Sequence, residues 1–451
     1  MWSILSAAAL LFAAAASAVS TAGNRLLVVL DEVAEKDTYG QFLGDLTARG
    51  FDISYETPRT EGLSLFHLGE RKYDHLLFLP SKVKGLGPNL TPNNLVNFVN
   101  AQGNILVALS STVPASTSLV ALLSELDISL PVERTGTVID HFNYDTVSAA
   151  ESHDVLVLDA PSNIRPGLKS YFELPGVLAF PHAVGHVLGS GPLLTPVVRA
   201  PATAYSYNPK EQAEVLDADE LFAAGQQLAL VSVLQARNSA RVTVLGSAEM
   251  LQDKWLDAKV TKVGGKSVKS ENKEFVHRVA GWTFQELGVL RVNSIEHKLQ
   301  DSDEVNPDIY RIKNDVSYTI SLSEYNWDKW VPFTLPDDDV LQLEFSMLSP
   351  FHRLNLTPAG TTDDAAVYSV AFTLPDQHGI FNFKVNYKRP FLTNIEEKNT
   401  VSVRHFAHDE WPRSFVISGA WPWISGIGAT VSGFVGFCAI WMYSKPVGKK
   451  N

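Results

Sequence analysis

Cysteine is all but missing from this chain: one residue, Cys438, in 451. No intrachain disulfide can form, so a protein exported to an oxidising compartment must depend on core packing alone. The same scarcity excludes a cysteine-based zinc site and any cysteine nucleophile outside the stretch that holds Cys438. Basic residues are also short, 37 Lys and Arg against 49 Asp and Glu, a formal charge of −12. That balance argues against nucleic acid, whose phosphates call for clustered Lys and Arg. Gly-x-x-x-x-Gly-Lys-Ser/Thr is absent, and so is Gly-x-Ser-x-Gly. The chain therefore offers no phosphate-cradling loop and no nucleophile elbow.

Charge is missing altogether from Ser414 to Ser444. The apolar part of that stretch, Trp421 to Tyr443, is about as long as a helix that crosses a ~30 Å hydrocarbon layer. Trp421 and Trp423 stand at one end, Trp441 and Tyr443 at the other, as aromatic belts at two interfaces. Lys445, Lys449 and Lys450 follow, and the positive-inside rule puts them in the cytosol. At the other end, the Ala-rich run Ile4 to Ala16 precedes small residues, Ala16-Ser17-Ala18, with the anatomy of a signal peptide. Ala18-Val19-Ser20 is an equally good cut. The expectation is a type I, single-span membrane protein with its bulk across the membrane from the cytosol.

Hydrophobic residues make up 45%, enough for two or three ordinary cores. From Arg25 the pattern alternates strand and helix. Leu26 to Leu30 is a continuous apolar run, and helical spacing follows over Tyr39 to Arg49, closed by Gly50. Strands are predicted at Phe51–Tyr55, His75–Leu79, Ile105–Leu109, Val155–Leu158 and Arg241–Leu245. Helices are predicted at Thr91–Val99, Leu119–Leu126 and Phe275–Leu287. Such succession predicts an α/β, doubly wound, mostly parallel sheet. Residues 174–201 are rich in Gly and Pro and read as a long ordered loop with short strands. After Val289 the period becomes two, as in Tyr318–Leu322, Leu341–Phe345, Tyr368–Phe372 and Phe381–Val385. Turn formers at 336–339, 357–360 and 376–379 separate these strands, so an antiparallel β-sandwich is predicted. The expected division is 1–22 signal peptide, 23–289 α/β domain, 290–412 sandwich, 413–444 membrane helix and flank, and 445–451 cytosolic tail.

Chemistry-bearing residues are few. Ser110 and Ser111 follow the strand Ile105–Leu109, where a hydrolase would place a nucleophile, but Ser there usually caps or turns. His182 and His186 are four apart, with Gly185 between them and Pro181 ahead, which spoils the helix that would align them on a metal. His405 and His408, with Asp409 and Glu410, read as a hydrated juxtamembrane strand end. The acidic runs 301–304 and 337–339 lack the Gly and closing Glu of a calcium loop and read as solvated turns. Trp327 and Trp330 read as packed within the sandwich. Two sequons, at Asn89 and Asn355, are each followed by proline (Pro92, Pro358), which restricts the sequon threonine, so poor N-glycosylation is expected at both. In the span, Ser425, Ala429 and Gly433 form one row at four-residue spacing, and Gly428, Ser432 and Gly436 a second. Small residues so arranged let helix backbones approach closely in lipid.

Several stretches resemble a known family. Leu27-Val28-Val29-Leu30-Asp31-Glu32, Tyr73-Asp74-His75-Leu76, Gly103 to Ala108, Asp376 to Val385 and Val401 to Arg404 are similar to the non-catalytic single-span subunit of eukaryotic oligosaccharyltransferase. Fungi know it as the wheat-germ-agglutinin-binding protein and animals as the 48-kilodalton subunit. The resemblance covers nearly the whole chain. It implies membership of the endoplasmic reticulum complex that moves an oligosaccharide from dolichyl diphosphate to Asn of Asn-x-Ser/Thr. It further implies no catalytic, cofactor-binding or metal-binding residue here. The implied partners are the catalytic polytopic subunit and the ribophorin-II-like and small defender-against-cell-death-like subunits. The family's dilysine tail is imperfect: Lys449 is third from the end, but Gly448 is fourth and Lys450 is displaced. Two other readings stay open on the residues themselves. One is a lumenal amidotransferase-like hydrolase. The other is an independent glycan- or peptide-binding membrane protein using 174–201, Trp327 or Trp330.

Overall fold

In the computed structural model the described residues are 20–162, 164–165, 167–208, 221–411, 418–445 and 448. The expected signal run up to Val19, and Lys449 and Lys450 of the tail, lie outside them.

Five parallel strands build the centre of the first domain. They are β1 (Arg25–Val29), β2 (Asp52–Glu56), β3 (His75–Phe78), β4 (Asn104–Ala108) and β11 (Arg241–Leu245). They stand in the order β2-β1-β3-β4-β11, every neighbouring pair parallel. Alternate residues of each strand feed opposite faces. Leu26 and Val28 meet Phe42, Leu43 and Leu46 of helix α1 (Gly40–Ala48) and Phe275, Val276 and Val279 of helix α4 (Asn272–Thr283). Leu27 and Val29 join Leu95, Phe98 and Val99 of α2 (Pro92–Asn100), and Leu119, Leu122 and Leu123 of α3 (Thr117–Glu125). Apolar on both faces, β1 needs no alternation, which is why it reads as an unbroken run.

Beyond β11 the sheet turns antiparallel. Strand β10 (Leu228–Gln235) pairs with β11, and then come β8 (His186–Leu188) and β5 (Ile128–Ser129), with β9 (Leu194–Arg199) also on β10. Every residue of β10 is buried, yet periodicity does not mark it: a mostly apolar eight-residue run broken by Ser232 fits a buried helix as well as a strand. Two sequence expectations need adjustment. Val155–Leu158 does form a strand, β6 (Val155–Asp159), but it pairs outside the main sheet with β7 (Val177–Pro181). The 174–201 stretch carries short strands as expected, β7, β8 and β9, but β8 and β9 are members of the main sheet rather than parts of a loop.

The second domain opens on β12 (Leu287–Leu299), whose first residues sit in the seam with the first domain. It pairs with β14 (Asp315–Asn326), β14 with β19 (Ala366–Thr373), and β19 with β18 (Thr357–Thr361); β15 (Lys329–Pro332) also lies on β14. The other sheet runs β13 (Ile309–Arg311), β21 (Ile395–Arg404), β20 (Gly379–Tyr387), β16 (Gln342–Ser346), β17 (Pro350–Asn355). All pairs are antiparallel except β13 with β21, which is parallel. One core joins the two sheets: Tyr318, Ile320 and Leu322 from the first, and Leu343, Phe345, Phe381, Phe383 and Val385 from the second. Phe345 and Phe381 stack at 4.7 Å and 4°. Thr357-Pro358-Ala359-Gly360, expected as a turn, belongs to β18; Pro358 is tolerated because β18 is an edge strand. Helix α5 (Trp421–Tyr443) closes the chain, with no side chain buried by the rest of it.

His75, fully buried at the start of β3, joins three segments of the first domain. Its Nε2 lies 2.9 Å from the Gly23 carbonyl and its Nδ1 3.2 Å from Asn104 Nδ2, partners that suit a neutral ring donating from Nε2. Burial, the largest influence, pushes its pKa down to about 4 from 6.5. Between those values the unfolded chain binds more protons than the folded one. The contribution of His75 is therefore intact above pH 6.5 and is lost as pH falls towards 4, on the order of 3 kcal/mol at the bottom of that window. Urea midpoints of His75→Gln should fall less steeply between pH 6.5 and 4 than those of the unaltered chain. Parallel slopes would rule His75 out.

Candidate functional site

An open α/β sheet receives ligands beyond the carboxyl ends of its strands, near the point where strand order reverses. Here that point lies between β1 and β3, and a side-chain bond bridges it: Ser81 Oγ donates to Asp31 Oδ1 at 3.1 Å. The same edge gathers Ser110 and Ser111 after β4, Glu249 after β11, His182 after β7 and Asp154 before β6.

Two polar pairs form there. The buried Ser110 hydroxyl donates to Glu249 Oε1 and lies 2.7 Å from Thr112 Oγ1. Burial raises the Glu249 carboxyl, and the hydrogen bond from Ser110 offsets part of the rise; its Oε2 has no partner among the described residues. Alongside, His182 Nδ1 donates to Asp154 Oδ2 at 2.9 Å. That carboxylate is the main cause holding His182 above its ordinary value, and His182 in turn holds Asp154 below its own.

Nucleophilic catalysis by serine needs one connected chain, from hydroxyl to base to the group that orients the base. Among the described residues the hydrogen bond between the two stretches runs through backbone, Ser111 N–H donating to the His182 carbonyl at 3.1 Å, and the side chains of the two pairs meet only through the charge of His182 acting on Glu249. No hydrogen bond joins either serine hydroxyl to His182. The cavity beside Ser110, lined by Phe78, Leu79, Ala108 and Val113, holds about 20 Å³, room for one water but no acyl substrate.

The other sequence candidates are dispersed. His186 is fully buried on β8 with Nε2 2.6 Å from Ser232 Oγ, and burial pushes its pKa down to about 3. His182 is partly exposed at the sheet edge, so the two histidines do not share a ligand. His405 stacks on His378 at 3.7 Å, while Glu410 is taken by Arg404 at 2.6 and 2.7 Å and His408 stays exposed. Among the described residues no three His, Cys, Asp or Glu side chains converge as metal ligands.

Three readings change. Asp339 is an anchor rather than a solvated turn: its carboxylate, 6% exposed, accepts from Arg389 at 2.6 Å and from the Tyr387 hydroxyl at 2.7 Å. Trp327 packs on the first domain, over His277 at 4.3 Å and against Gly281 of α4. Trp330 lies under the Arg291 guanidinium at 4.0 Å, beside Tyr325. Neither tryptophan belongs to the core between the two sheets. The sequon residues take ordinary structural posts. Thr91 is the extended N-cap of α2, accepting from Asn94 N–H at 3.3 Å. Asn355 ends β17, and Thr357 Oγ1 donates to the Ser369 carbonyl at 3.1 Å.

Comparison with known proteins decides the family. The OST48 N-terminal domain matches residues 17–286 and the OST48 middle domain matches residues 296–445. The chain belongs to the OST48 family. Its junction between the two matched regions, 287–295, falls in the first part of β12, where the two domains meet. A Schizosaccharomyces pombe relative, dolichyl-diphosphooligosaccharide–protein glycosyltransferase subunit wbp1, is 35% identical over 95% of this chain and 94% of its own. The 48 kDa subunits of the same transferase from Caenorhabditis elegans and Danio rerio are 33% and 32% identical. They cover 94% and 95% of this chain, and 92% and 93% of their own. Among solved structures, a ThuA-like protein from Parabacteroides merdae aligns with a TM-score of 0.29 at 12% identity, over 58% of this chain and 89% of that one.

Proposed function

We propose that this chain is a non-catalytic, membrane-anchored subunit of the dolichyl-diphosphooligosaccharide–protein glycosyltransferase, acting in protein N-glycosylation at the endoplasmic reticulum. Near-full-length identity to the S. pombe wbp1 subunit carries this reading. Helix α5 is its single span, the two folded domains are lumenal, and Lys445 marks the cytosolic side. The lumenal part is a doubly wound α/β layer followed by a β-sandwich, as the two-faced packing of β1 and the core shared by the later sheets support. Its role is to hold the complex together, so that the catalytic subunit's groups stay positioned, and to present substrate. The catalytic polytopic subunit and the ribophorin-II-like and defender-against-cell-death-like subunits are its partners. Asn89 and Asn355 are poorly glycosylated.

The alternative, a hydrolase on the first domain, needs Ser110 or Ser111 to work with His182. The separation of the Ser110–Glu249 and His182–Asp154 pairs speaks against it. Ser110→Ala, Ser111→Ala and His182→Ala should each leave cellular glycosylation within about twofold of normal once corrected for complex abundance. The correction matters for Ser110→Ala, since an unpaired buried carboxyl costs about 1–3 kcal/mol. A tenfold loss with the complex intact would favour the hydrolase.

The structure also bears on where the signal peptide is cut. Ser20 is buried, its hydroxyl donates to the Phe284 carbonyl at 2.5 Å beyond α4, and its own carbonyl accepts from Gly23 N–H at 3.3 Å. Thr21 N–H donates to the Gln285 carbonyl at 3.4 Å. A cut after Ser20 would discard the first two of these anchors; a cut after Ala18 keeps them all. Terminal sequencing of the mature protein should read Val19-Ser20-Thr21. A start at Thr21 or later would refute the assignment.

A further inference from the structure

The end of the second domain opposite the first carries a group of apolar side chains that no other described residue covers. The strand register collects them at one end. β21 finishes at Arg404, the β16–β17 hairpin turns around Leu348, and β20 begins at Gly379, paired with Val403. Leu348 is 98% exposed, Ile380 65% and Phe351 38%, and Met347 of the hairpin tip closes on Gly379. Trp411, 58% exposed, stacks on Phe406 just past β21. The span starts at Trp421, only ten residues after Trp411, a link that reaches at most about 35 Å fully extended. The apolar end is thus tethered close to the bilayer.

We infer that this end of the domain rests in the lipid interface of the membrane that α5 crosses, with Leu348 and Ile380 inserted and Trp411 at headgroup level. This rests on reading α5 as the span. Two neighbouring charge pairs are already made, Lys313 with Asp376 at 2.8 Å and Arg404 with Glu410 at 2.6 Å, which lowers the cost of bringing those four groups near a poorly polarisable layer, while Asp409 stays exposed. The acidic residues Asp301, Asp303 and Glu304 follow β12 at the same end. A strongly anionic surface would repel them, so the lipid it fits is zwitterionic.

The single cysteine makes the test direct. In a Cys438→Ala background, Leu348→Cys and, separately, Lys266→Cys in an exposed turn of the first domain would carry an environment-sensitive fluorophore. The purified complex would be placed in phosphatidylcholine nanodiscs containing lipids spin-labelled at a shallow acyl position. The probe at 348 should emit to the blue of the probe at 266 and lose roughly half its intensity to the spin label, as a side chain seated at the headgroup boundary does. Water-like, unquenched emission at 348 would overturn the inference. Blue-shifted emission without lipid quenching would also overturn it, by placing a protein neighbour on this surface. The unaltered chain labelled at Cys438 and read with a deep spin label is the control for the span. Quenching there without quenching at 348 rejects the docking alone, whereas none at Cys438 rejects the span itself.

Discussion

Replacing Arg241 by leucine is expected to remove most of the folded chain from cells. Arg241 opens β11, is fully buried, and has no acidic partner among the described residues. Its guanidinium donates to the carbonyls of Trp282 and Leu287 at 2.6 Å each, to that of Gly288 at 2.7 Å, and to Gln235 Oε1 at 3.0 Å. It also lies over the Trp282 ring at 4.6 Å. Burial pushes its pKa down to about 9, so at neutral pH it still carries a proton. Two effects compete on replacement. Relief of the buried charge favours leucine, but the Leu287 carbonyl and the Gln235 amide oxygen lose this donor where water cannot follow, at about 1–3 kcal/mol each, while the Trp282 and Gly288 carbonyls are left with Gln285 N–H and Thr393 N–H. The second effect wins because these acceptors and the contact with the Trp282 ring all depend on one side chain. The net loss is on the order of 3–5 kcal/mol against a total stability of about 5–15.

The loss should be felt by both domains. Trp282 lies in the last turn of α4, whereas Leu287 and Gly288 begin β12, so Arg241 clamps the junction between them. The Trp282 indole also donates to the Phe391 carbonyl of the second domain at 2.8 Å. Arg241→Leu should therefore lower steady-state abundance several-fold and bring down the melting of both domains together. Arg241→Lys, which keeps charge but cannot fork to all four acceptors, should fall between. A leucine variant that accumulates and melts like the unaltered chain would show that the clamp contributes nothing.

None of this clamp was legible in the sequence, and the reason is physical. Periodicity reports which face of an element is apolar, so α2, β14 and β20 could be read directly from their spacing or alternation, and β1 from its short unbroken run. Arg241 sits at the edge of such a pattern, and its partners are backbone carbonyls 41 to 47 residues away. A carbonyl carries no residue signature. Asp339 was misread for a related reason: its partner Arg389 is 50 residues distant, so a local acidic run could not reveal the pair. Strand β10 lacks a clean period, its apolar residues being interrupted by Ser232 and closed by Gln235, and nothing local separates it from a buried helix. At the carboxyl edge of the sheet, by contrast, Ser110, Ser111 and His182 stand out in the sequence as residues to weigh, each with a capping or turn reading beside the chemical one. What only coordinates supplied was the way their polar groups divide between Glu249 and Asp154.

The double substitution Gly428→Leu, Gly433→Leu should free the protein from its complex while leaving it in the membrane. Helix α5 has 23 residues, about 34 Å at 1.5 Å each, enough to cross a ~30 Å hydrocarbon layer. Two of its hydroxyls turn back on the helix, Ser425 to the Pro422 carbonyl at 3.0 Å and Thr430 to the Gly426 carbonyl at 2.9 Å, so neither needs a partner helix to be satisfied. What remains for a neighbour is the Ser432 hydroxyl and shape. Ser425, Ala429 and Gly433 align along one line, and Gly428, Ser432 and Gly436 along the next, giving a shallow groove where another backbone can approach. Two leucines would fill that groove and hold a partner helix away, whereas insertion, which follows hydrophobicity, would if anything improve. Co-purification of the other subunits in mild detergent should drop about tenfold, the effect of ~1.4 kcal/mol. Resistance to alkaline extraction should stay unchanged. Val431→Leu with Val435→Leu, which adds bulk at positions outside both rows, serves as the control and should retain the complex. Equal co-purification of the glycine variant and this control would mean that α5 is an anchor only, and that the subunits are held together through the lumenal domains.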